Sequence, residues 1–178
     1  LFAFSTENWL RDKAEVNDLI SLFFDALEEQ TPKLIEEKVK LNFIGDISRF
    51  NKRLIERIKK STQETEKYNP QLNLIIAASY GGKWDIINSI NKTISENKII
   101  EFSENDLERN LETKDFPEPD LIIRSGGEKR LSNFYLWQSS YSELYFSDKF
   151  WPDFDKKDLK EACEDFFKRK RKFGVQSG

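Results

Sequence analysis

Two arginines and a serine surround a pair of glycines in the segment RSGGEKRLSN, residues 124–133. Arg124 follows an apolar run that reads as a buried strand, and Arg130 and Ser132 come shortly after it. Guanidinium groups match phosphate oxygens through paired hydrogen bonds, a hydroxyl adds a donor, and glycines let the backbone approach a ligand. We also expect free N–H groups at the start of a following helix. The pattern predicts a diphosphate site, although a simple turn with arginines paired to surface carboxylates would look the same.

A second segment, FSTENWLR (residues 4–11), places several polar and aromatic groups directly after another apolar run. The residues that could line a substrate site there are Ser5, Thr6, Glu7, Asn8, Trp9 and Arg11. The same residue types also suit a helix start, with Ser5 or Thr6 as the N-cap and the following residues as a solvated first turn. Both interpretations stay open on the residues alone.

Glu143 opens the run SELYFS (142–147) within a region dense in aromatic side chains. A carboxylate there is either a solvated strand residue or a ligand for Mg²⁺, which needs only one or two carboxylates plus substrate phosphates. The chain has no histidine and a single cysteine, Cys163. Metal sites built on imidazole or paired thiolates are therefore excluded, and any metal is a hard, oxygen-bound ion. The aromatic excess indicates a buried subunit interface.

Short apolar runs alternate with longer helical patterns, which predicts an α/β fold. Several runs are apolar at successive positions, as in parallel strands covered on both faces. The predicted strands are 1–4, 40–45, 72–79, 120–125 and 142–147. The predicted helices are 15–38 with a kink at Pro32, 48–68, one that starts after Gly82, 104–112 capped by Ser103, and 155–172. In the helix after Gly82, the expected buried stripe is Trp84, Ile87, Ile90 and Ile94.

We expect a single domain, residues 1–178, in which helices surround a central and mainly parallel sheet. In such folds ligands bind beyond the carboxyl ends of the strands. The segments 4–11, 79–85 and 124–133 all fall at such ends.

Composition and charge disfavour some classes of function. The chain has 178 residues, a formal charge of -3 and a pI near 5.3, so no basic excess favours nucleic-acid binding. No apolar run approaches the roughly 20 residues that span a bilayer, and no export signal opens the sequence, so it reads as cytosolic and soluble. The sequence starts at Leu1 with an apolar run, from which we expect that an N-terminal segment precedes it.

Together these segments resemble the cis-prenyltransferase family, in its bacterial undecaprenyl diphosphate synthase branch. The residues that carry the resemblance are FAFSTENW, AASYGGKWDI, PDLIIRSGGEKRLSNFYLWQSSYSELYF, WPDF and RKRKFG. The resemblance implies a cytoplasmic or membrane-peripheral homodimer that adds isopentenyl diphosphate in cis to an allylic diphosphate such as farnesyl diphosphate. Its product would be a long-chain polyprenyl diphosphate, such as the undecaprenyl carrier-lipid precursor, which is delivered to the membrane. The alternative is a non-catalytic subunit or a remnant of such an enzyme.

The resemblance also implies roles for particular residues. Arg124, Arg130 and Ser132, with Leu131 beside them, would hold the diphosphate of isopentenyl diphosphate, and Glu143 would help to bind Mg²⁺. Asn8 carries the family's proton-acceptor role, although an amide is a poor base and suits substrate positioning better. The residues that line the substrate region by this analogy are Ser5, Thr6, Glu7, Trp9 and Arg11. The helix from about Lys13 to Lys38 would form one wall of an apolar tunnel for the growing chain.

Three departures from the family pattern stand out. The H-x-x-D-G-N-x-R-W-A stretch, which the family uses for the allylic diphosphate and for Mg²⁺, does not occur in the sequence. This chain by itself is therefore expected to be inactive. Lys129 stands where histidine is common, and Ser79 stands where asparagine is common.

Overall fold

The computed structural model describes residues 1–96 and 101–171. The strands in these residues are β1 (Phe2–Ser5), β2 (Val39–Ile44), β3 (Leu72–Tyr80), β4 (Leu121–Arg124) and β5 (Glu143–Phe146). The α-helices are α1 (Lys13–Glu36), α2 (Lys52–Glu66), α3 (Gly82–Glu96), α4 (Glu104–Glu108) and α5 (Lys156–Lys168). The chain divides into two compact units, residues 1–114 and 115–178.

The first unit contains a three-stranded parallel sheet in the order β1-β3-β2. Parallel neighbours need a crossover connection, and α2 provides it between β2 and β3. Both β1 and β2 pair with β3, so the carboxyl ends of all three strands meet at one edge. That edge carries the Thr6–Leu10 turn, which is a short 3-10 helix, and the start of α3.

Apolar side chains from α1, α2 and the sheet form the core of the first unit. Its buried members are Phe4, Val16, Leu27, Leu41, Phe50, Leu54, Ile58, Ile76 and Ala78. α1 continues past Pro32, and most of its apolar residues are only half-buried against this core. The helix therefore keeps a partly open apolar face.

The second unit contains β4 and β5, which pair in parallel, and α5. Asp155 caps α5 by accepting the backbone N–H groups of Lys157 and Asp158 at 2.6 and 3.2 Å. The connection from β4 to β5 consists of turns and bends. No helix follows Gly126 and Gly127 within this connection, so the prediction of a helix there was wrong.

The five predicted strands occur within one residue of their expected bounds, and the α/β class is confirmed. The predicted last helix ends at Lys168, and Lys172 lies outside the described residues. That the whole chain forms one domain remains a prediction.

The buried stripe of α3 differs from the prediction. Its buried residues are Gly82, Asp85, Ser89 and Thr93, while Ile87 and Ile94 are exposed. Polar groups can line this buried face because each finds a partner: Ser89 donates to the carbonyl of Leu107 at 2.5 Å, and Asp85 accepts from the phenol of Tyr80 at 2.8 Å.

None of the helices in the described residues combines the length and the apolar content that a membrane crossing requires.

Candidate active site

The Thr6–Leu10 turn holds Asn8 in a defined orientation. Ser5 is the N-cap residue of the turn, and its backbone N–H donates to Oδ1 of Asn8 at 2.7 Å. The carbonyl of Asn8 accepts the N–H of Arg11 at 3.2 Å. The capping interpretation of Ser5 is therefore correct, and it also fixes the amide. With Oδ1 already accepting a hydrogen bond, the amide nitrogen is the group best placed to act on a ligand, as a donor.

Trp9 anchors the same turn to the sheet. Its indole N–H donates to Oγ of Ser79 at 2.9 Å, and its ring centroid lies 4.9 Å from that of Phe4 and 5.2 Å from that of Phe50. The guanidinium carbon of Arg49 lies over the ring, 4.7 Å from the centroid. The indole is thus fixed on both its polar and its apolar sides.

Of the other predicted residues of this segment, Glu7 and Arg11 are exposed, and Thr6 is half-buried. The hydroxyl of Thr6 donates to the carboxylate of Glu7 at 3.0 Å, and Arg11 pairs with Glu15 at 2.5 Å in the first turn of α1. Surface pairs of this kind contribute little to stability and can exchange their partners. These residues can therefore reorient toward a ligand.

The segment 124–132, here called the arginine loop, folds back on the end of β4. A guanidinium nitrogen of Arg124 donates to Oγ of Ser132 at 2.7 Å and also to the carbonyl of Arg130. Leu131 is half-buried between the two, and its carbonyl accepts the N–H of Phe134 at 3.0 Å. The three polar side chains predicted to hold a diphosphate therefore belong to one local structure.

Glu128 neutralises both arginines of this loop. One carboxylate oxygen pairs with Arg124 at 2.5 Å, and the other pairs with Arg130. The pairing of arginines with a surface carboxylate, which the sequence left open, is thus present as well. Because Glu128 and Arg130 are about half-exposed or more, an anion with a larger charge can replace the carboxylate at modest cost.

The two glycines of the loop have conformations that other residues avoid, with φ of 93° at Gly126 and 78° at Gly127. Space for a side chain is open at Gly126, so crowding is not the reason for glycine there. Their N–H groups donate to the carbonyls of Lys149 and Ser147, at 2.7 and 2.9 Å. The N–H groups of both glycines are thus engaged within the protein, so the donors that this loop can offer to a ligand are its side chains.

Glu143 begins β5 and is half-buried. Its carboxylate accepts a hydrogen bond from Arg169 at 2.7 Å, and Arg169 also pairs with Asp165 at 2.5 Å. The hydrogen bond to Glu143, followed by the one to Asp165, raises the pKa of Arg169 above its ordinary value. No group of three or more potential metal ligands occurs among residues 1–96 and 101–171. Glu143 can thus offer one carboxylate, and the remaining ligands of a hard ion would be phosphate and water oxygens.

Three contacts of these sites were not predicted from the sequence. Glu128 lies in the arginine loop itself, so its charge was a usable signal. Arg169 lies 26 residues after Glu143, and Ser79 lies 70 residues after Trp9, so only the fold brings these pairs together.

Comparison with known proteins identifies the family. A family model described as "Putative undecaprenyl diphosphate synthase" matches residues 1–174. An isoprenyl transferase of Neisseria meningitidis is 48% identical over 177 residues, covering 99% of this chain and 71% of that relative. A ditrans,polycis-undecaprenyl-diphosphate synthase of Haemophilus influenzae, specific for (2E,6E)-farnesyl diphosphate, is 45% identical over 179 residues, covering 98% of this chain and 74% of that relative.

A solved structure shows the same fold. The crystal structure of lavandulyl diphosphate synthase from Lavandula x intermedia, in complex with dimethylallyl diphosphate, matches with a TM-score of 0.91 and 34% identity. The match covers 98% of this chain and 77% of that one. The resemblance inferred from the sequence motifs is confirmed, and the chain belongs to the undecaprenyl diphosphate synthase family of cis-prenyltransferases.

Proposed function

We propose that the protein condenses isopentenyl diphosphate in cis with an allylic diphosphate, farnesyl diphosphate, to make a long-chain polyprenyl diphosphate. The observation that carries the proposal is the arginine loop, where Arg130 and Ser132 fold back on Arg124. A scaffold subunit would have no need of this arrangement. The alternative of a non-catalytic subunit or remnant therefore has less support.

The arginine loop is the proposed site for the diphosphate of isopentenyl diphosphate. Two guanidinium groups and the Ser132 hydroxyl can all donate to phosphate oxygens. The incoming diphosphate replaces Glu128 as their partner, so the arginines exchange one anion for another of higher charge. Leu131 contributes an apolar surface beside them.

Asn8 is proposed to position the substrate rather than to take up the proton. Its Oδ1 accepts the N–H of Ser5, which leaves the amide N–H groups to donate to a phosphate oxygen. Ser5, Thr6, Glu7, Trp9 and Arg11 form the surroundings of that amide. A phosphate oxygen is then a better proton acceptor than the neutral side chain.

Mg²⁺ is the proposed cofactor, with Glu143 as the protein ligand. The donor set fits, because a single carboxylate together with phosphate oxygens and water is a usual environment for this ion. A bound cation stabilises the negative charge that develops on the departing diphosphate. Arg169 neutralises Glu143 in the described structure, so it must release the carboxylate when the metal binds.

α1 is proposed as one wall of the tunnel for the growing chain. Along Lys13–Glu36 the apolar side chains Leu19, Ile20, Phe23 and Phe24 are only partly covered by the core. A half-buried apolar stripe of this kind suits a hydrocarbon chain, since it leaves surface for further burial.

We also propose a cytoplasmic homodimer that releases its product to the membrane. The second unit exposes several large apolar side chains, more than a surface without partners usually carries. They are Tyr141, Leu144, Phe150, Trp151, Leu159 and Phe167. Such a surface fits the core of a subunit interface, where aromatic residues are enriched.

An incorporation assay tests the proposed function. The native protein, meaning the complete chain as the organism makes it, is mixed with radiolabelled isopentenyl diphosphate, farnesyl diphosphate and Mg²⁺, and the lipids are extracted. We expect label in the lipid phase that depends on Arg124, with Arg109→Ala as the control because Arg109 is an exposed arginine outside the loop. No label above the control without protein, at any Mg²⁺ concentration, would refute the proposal.

A further inference from the structure

Ser79 has an unusual conformation for its position. It lies near the carboxyl end of the central strand β3, it is fully buried, and its φ is 53°. Residues other than glycine, asparagine and aspartate seldom adopt this left-handed conformation, because it brings Cβ close to the backbone. Strained and buried residues of this kind persist only where the surrounding structure holds them, and they concentrate at functional sites.

The contacts of Ser79 join two loops at the active edge of the sheet. Its hydroxyl oxygen accepts the indole N–H of Trp9 at 2.9 Å, and its carbonyl accepts the backbone N–H of Asp46 at 3.1 Å. Gly45 packs so tightly here that a Cβ on it would lie 2.2 Å from the carbonyl oxygen of Ala78. Glycine at position 45 therefore lets this loop pack directly against the end of β3, next to the backbone of Ser79.

The Ser79 hydroxyl accepts the indole N–H of Trp9, and Trp9 is adjacent to Asn8 in a turn of only five residues. The rings of Phe4 and Phe50 confine the indole but are apolar, so they cannot select its rotation as a directional hydrogen bond does. The Ser79 bond is the only hydrogen bond of the Trp9 side chain within residues 1–96 and 101–171.

We propose that Ser79 is a positioning residue, which holds the Thr6–Leu10 turn through Trp9 so that the Asn8 amide meets its substrate in a productive orientation. The inference rests on the proposed function for its effect on catalysis. The left-handed conformation contributes by directing the hydroxyl toward the Trp9 turn. Its conformational strain is the cost of that orientation.

Four variants of the native protein separate positioning from simple stabilisation. Ser79→Ala and Ser79→Gly both remove the acceptor, and glycine also relieves the left-handed strain. Ser79→Asn supplies a carbonyl acceptor and tolerates the left-handed conformation. Ser89→Ala is the matched control, because it removes another buried serine hydroxyl with a hydrogen bond, on α3 and away from the turn.

We expect Ser79→Ala and Ser79→Gly to lower kcat about three- to tenfold, the loss that corresponds to about one hydrogen bond. The KM for isopentenyl diphosphate should change by less than about twofold, since the interaction acts on positioning and not on that substrate's binding. Ser79→Gly should keep or raise Tm while kcat falls. Ser79→Asn should restore kcat, and Ser89→Ala should lower Tm and leave kcat unchanged.

An NMR measurement reports the contact independently of activity. The chain has four tryptophans, and Trp9→Phe identifies the Trp9 indole N–H resonance. That resonance should move and exchange faster with solvent in Ser79→Ala, and it should stay near its native position in Ser79→Asn.

An unchanged resonance in Ser79→Ala would refute the positioning itself. A moved resonance with native kcat in Ser79→Gly, or an equal fall of kcat in Ser89→Ala, would refute its role in catalysis. An inactive native protein would instead refute the proposed function.

Discussion

At the scale of single residues, the proposed site contains ion pairs that a substrate would have to rearrange. Arg124 and Arg130 share Glu128, and Glu143 is paired with Arg169. Each pair orients a side chain that we propose to bind the ligand. Because these side chains are partly exposed, their pairs are weak enough to be replaced.

Replacement of either loop arginine should weaken isopentenyl diphosphate binding. We expect Arg124→Ala and Arg130→Ala each to raise KM for this substrate, because each removes a charge-assisted hydrogen bond of about 1.5–3 kcal/mol, or roughly 10- to 150-fold. Arg130 should fall at the lower end, since its side chain is 63% exposed. Steady-state kinetics on the native protein check this, with Arg109→Ala as the control. Unchanged kinetics in both variants would remove the diphosphate role from the loop.

The dependence of the rate on Mg²⁺ tests Glu143. We expect Glu143→Gln to lower kcat more than it changes isopentenyl diphosphate affinity, with partial recovery at high Mg²⁺, because a carboxylate beside a diphosphate requires a cation between them. Arg169→Gln should have the opposite effect and reduce the Mg²⁺ needed for half-maximal rate, since it frees the carboxylate. If the rates of both variants depend on the Mg²⁺ concentration as the rate of the native protein does, Glu143 is only a strand residue.

At the scale of elements, strands were easier to predict than the buried face of a helix. β1 to β5 are runs of apolar residues bounded by polar ones, and a parallel strand needs little more information. In α3 the apolar residues mislead: Asp85, Ser89 and Thr93 are buried because the segment around α4 provides hydrogen-bond partners for them. Those partners come from residues 106–112, so no local pattern in α3 contains the information.

The candidate site was likewise predicted where the information is local and missed where it depends on residues far along the chain. The residue types in 4–11 and 124–133 were sufficient to propose where chemistry occurs, because they are local. The prediction of free N–H groups at the start of a following helix was wrong, because turns and bends connect β4 to β5 and the N–H groups of Gly126 and Gly127 find acceptors about twenty residues away, after β5. The Trp9 contact with Ser79 likewise depends on strand order, which the sequence predicts only as a class.

The N-terminus of α5 should make the second unit sensitive to acid. The hydrogen bond from Lys149, followed by the one from the backbone N–H of Asp155, holds the pKa of Asp158 below its ordinary value. A lowered carboxyl pKa contributes stability above the unfolded pKa of about 3.9, and this stability is lost as pH falls through the folded pKa. Thermal unfolding should therefore show a fall in Tm below about pH 4.

Asp158→Asn should lower Tm at neutral pH and flatten its fall in acid. Asp153→Asn removes an exposed carboxylate from the preceding turn and should leave the pH profile as it is in the native protein. If Asp158→Asn and native protein lose stability in parallel on acidification, the paired carboxylate is not the cause.

At the scale of the whole molecule, the central question is which product the protein makes, because family membership alone does not determine it. Relatives and structural neighbours of this chain include an undecaprenyl-diphosphate synthase and a lavandulyl diphosphate synthase, whose names indicate different products. If α1 lines the product tunnel as proposed, its half-buried apolar stripe favours a long hydrocarbon product over a short one, because each added isoprene unit gains apolar surface to bury.

The structure of the product is the most direct test of this account. The native protein is incubated with isopentenyl diphosphate, farnesyl diphosphate and Mg²⁺, and the dephosphorylated lipid is analysed by mass spectrometry for length and by NMR for double-bond geometry. The account predicts a long polyprenol in which every added unit is cis. A product with added trans units, or one that stops after a single condensation, would contradict it.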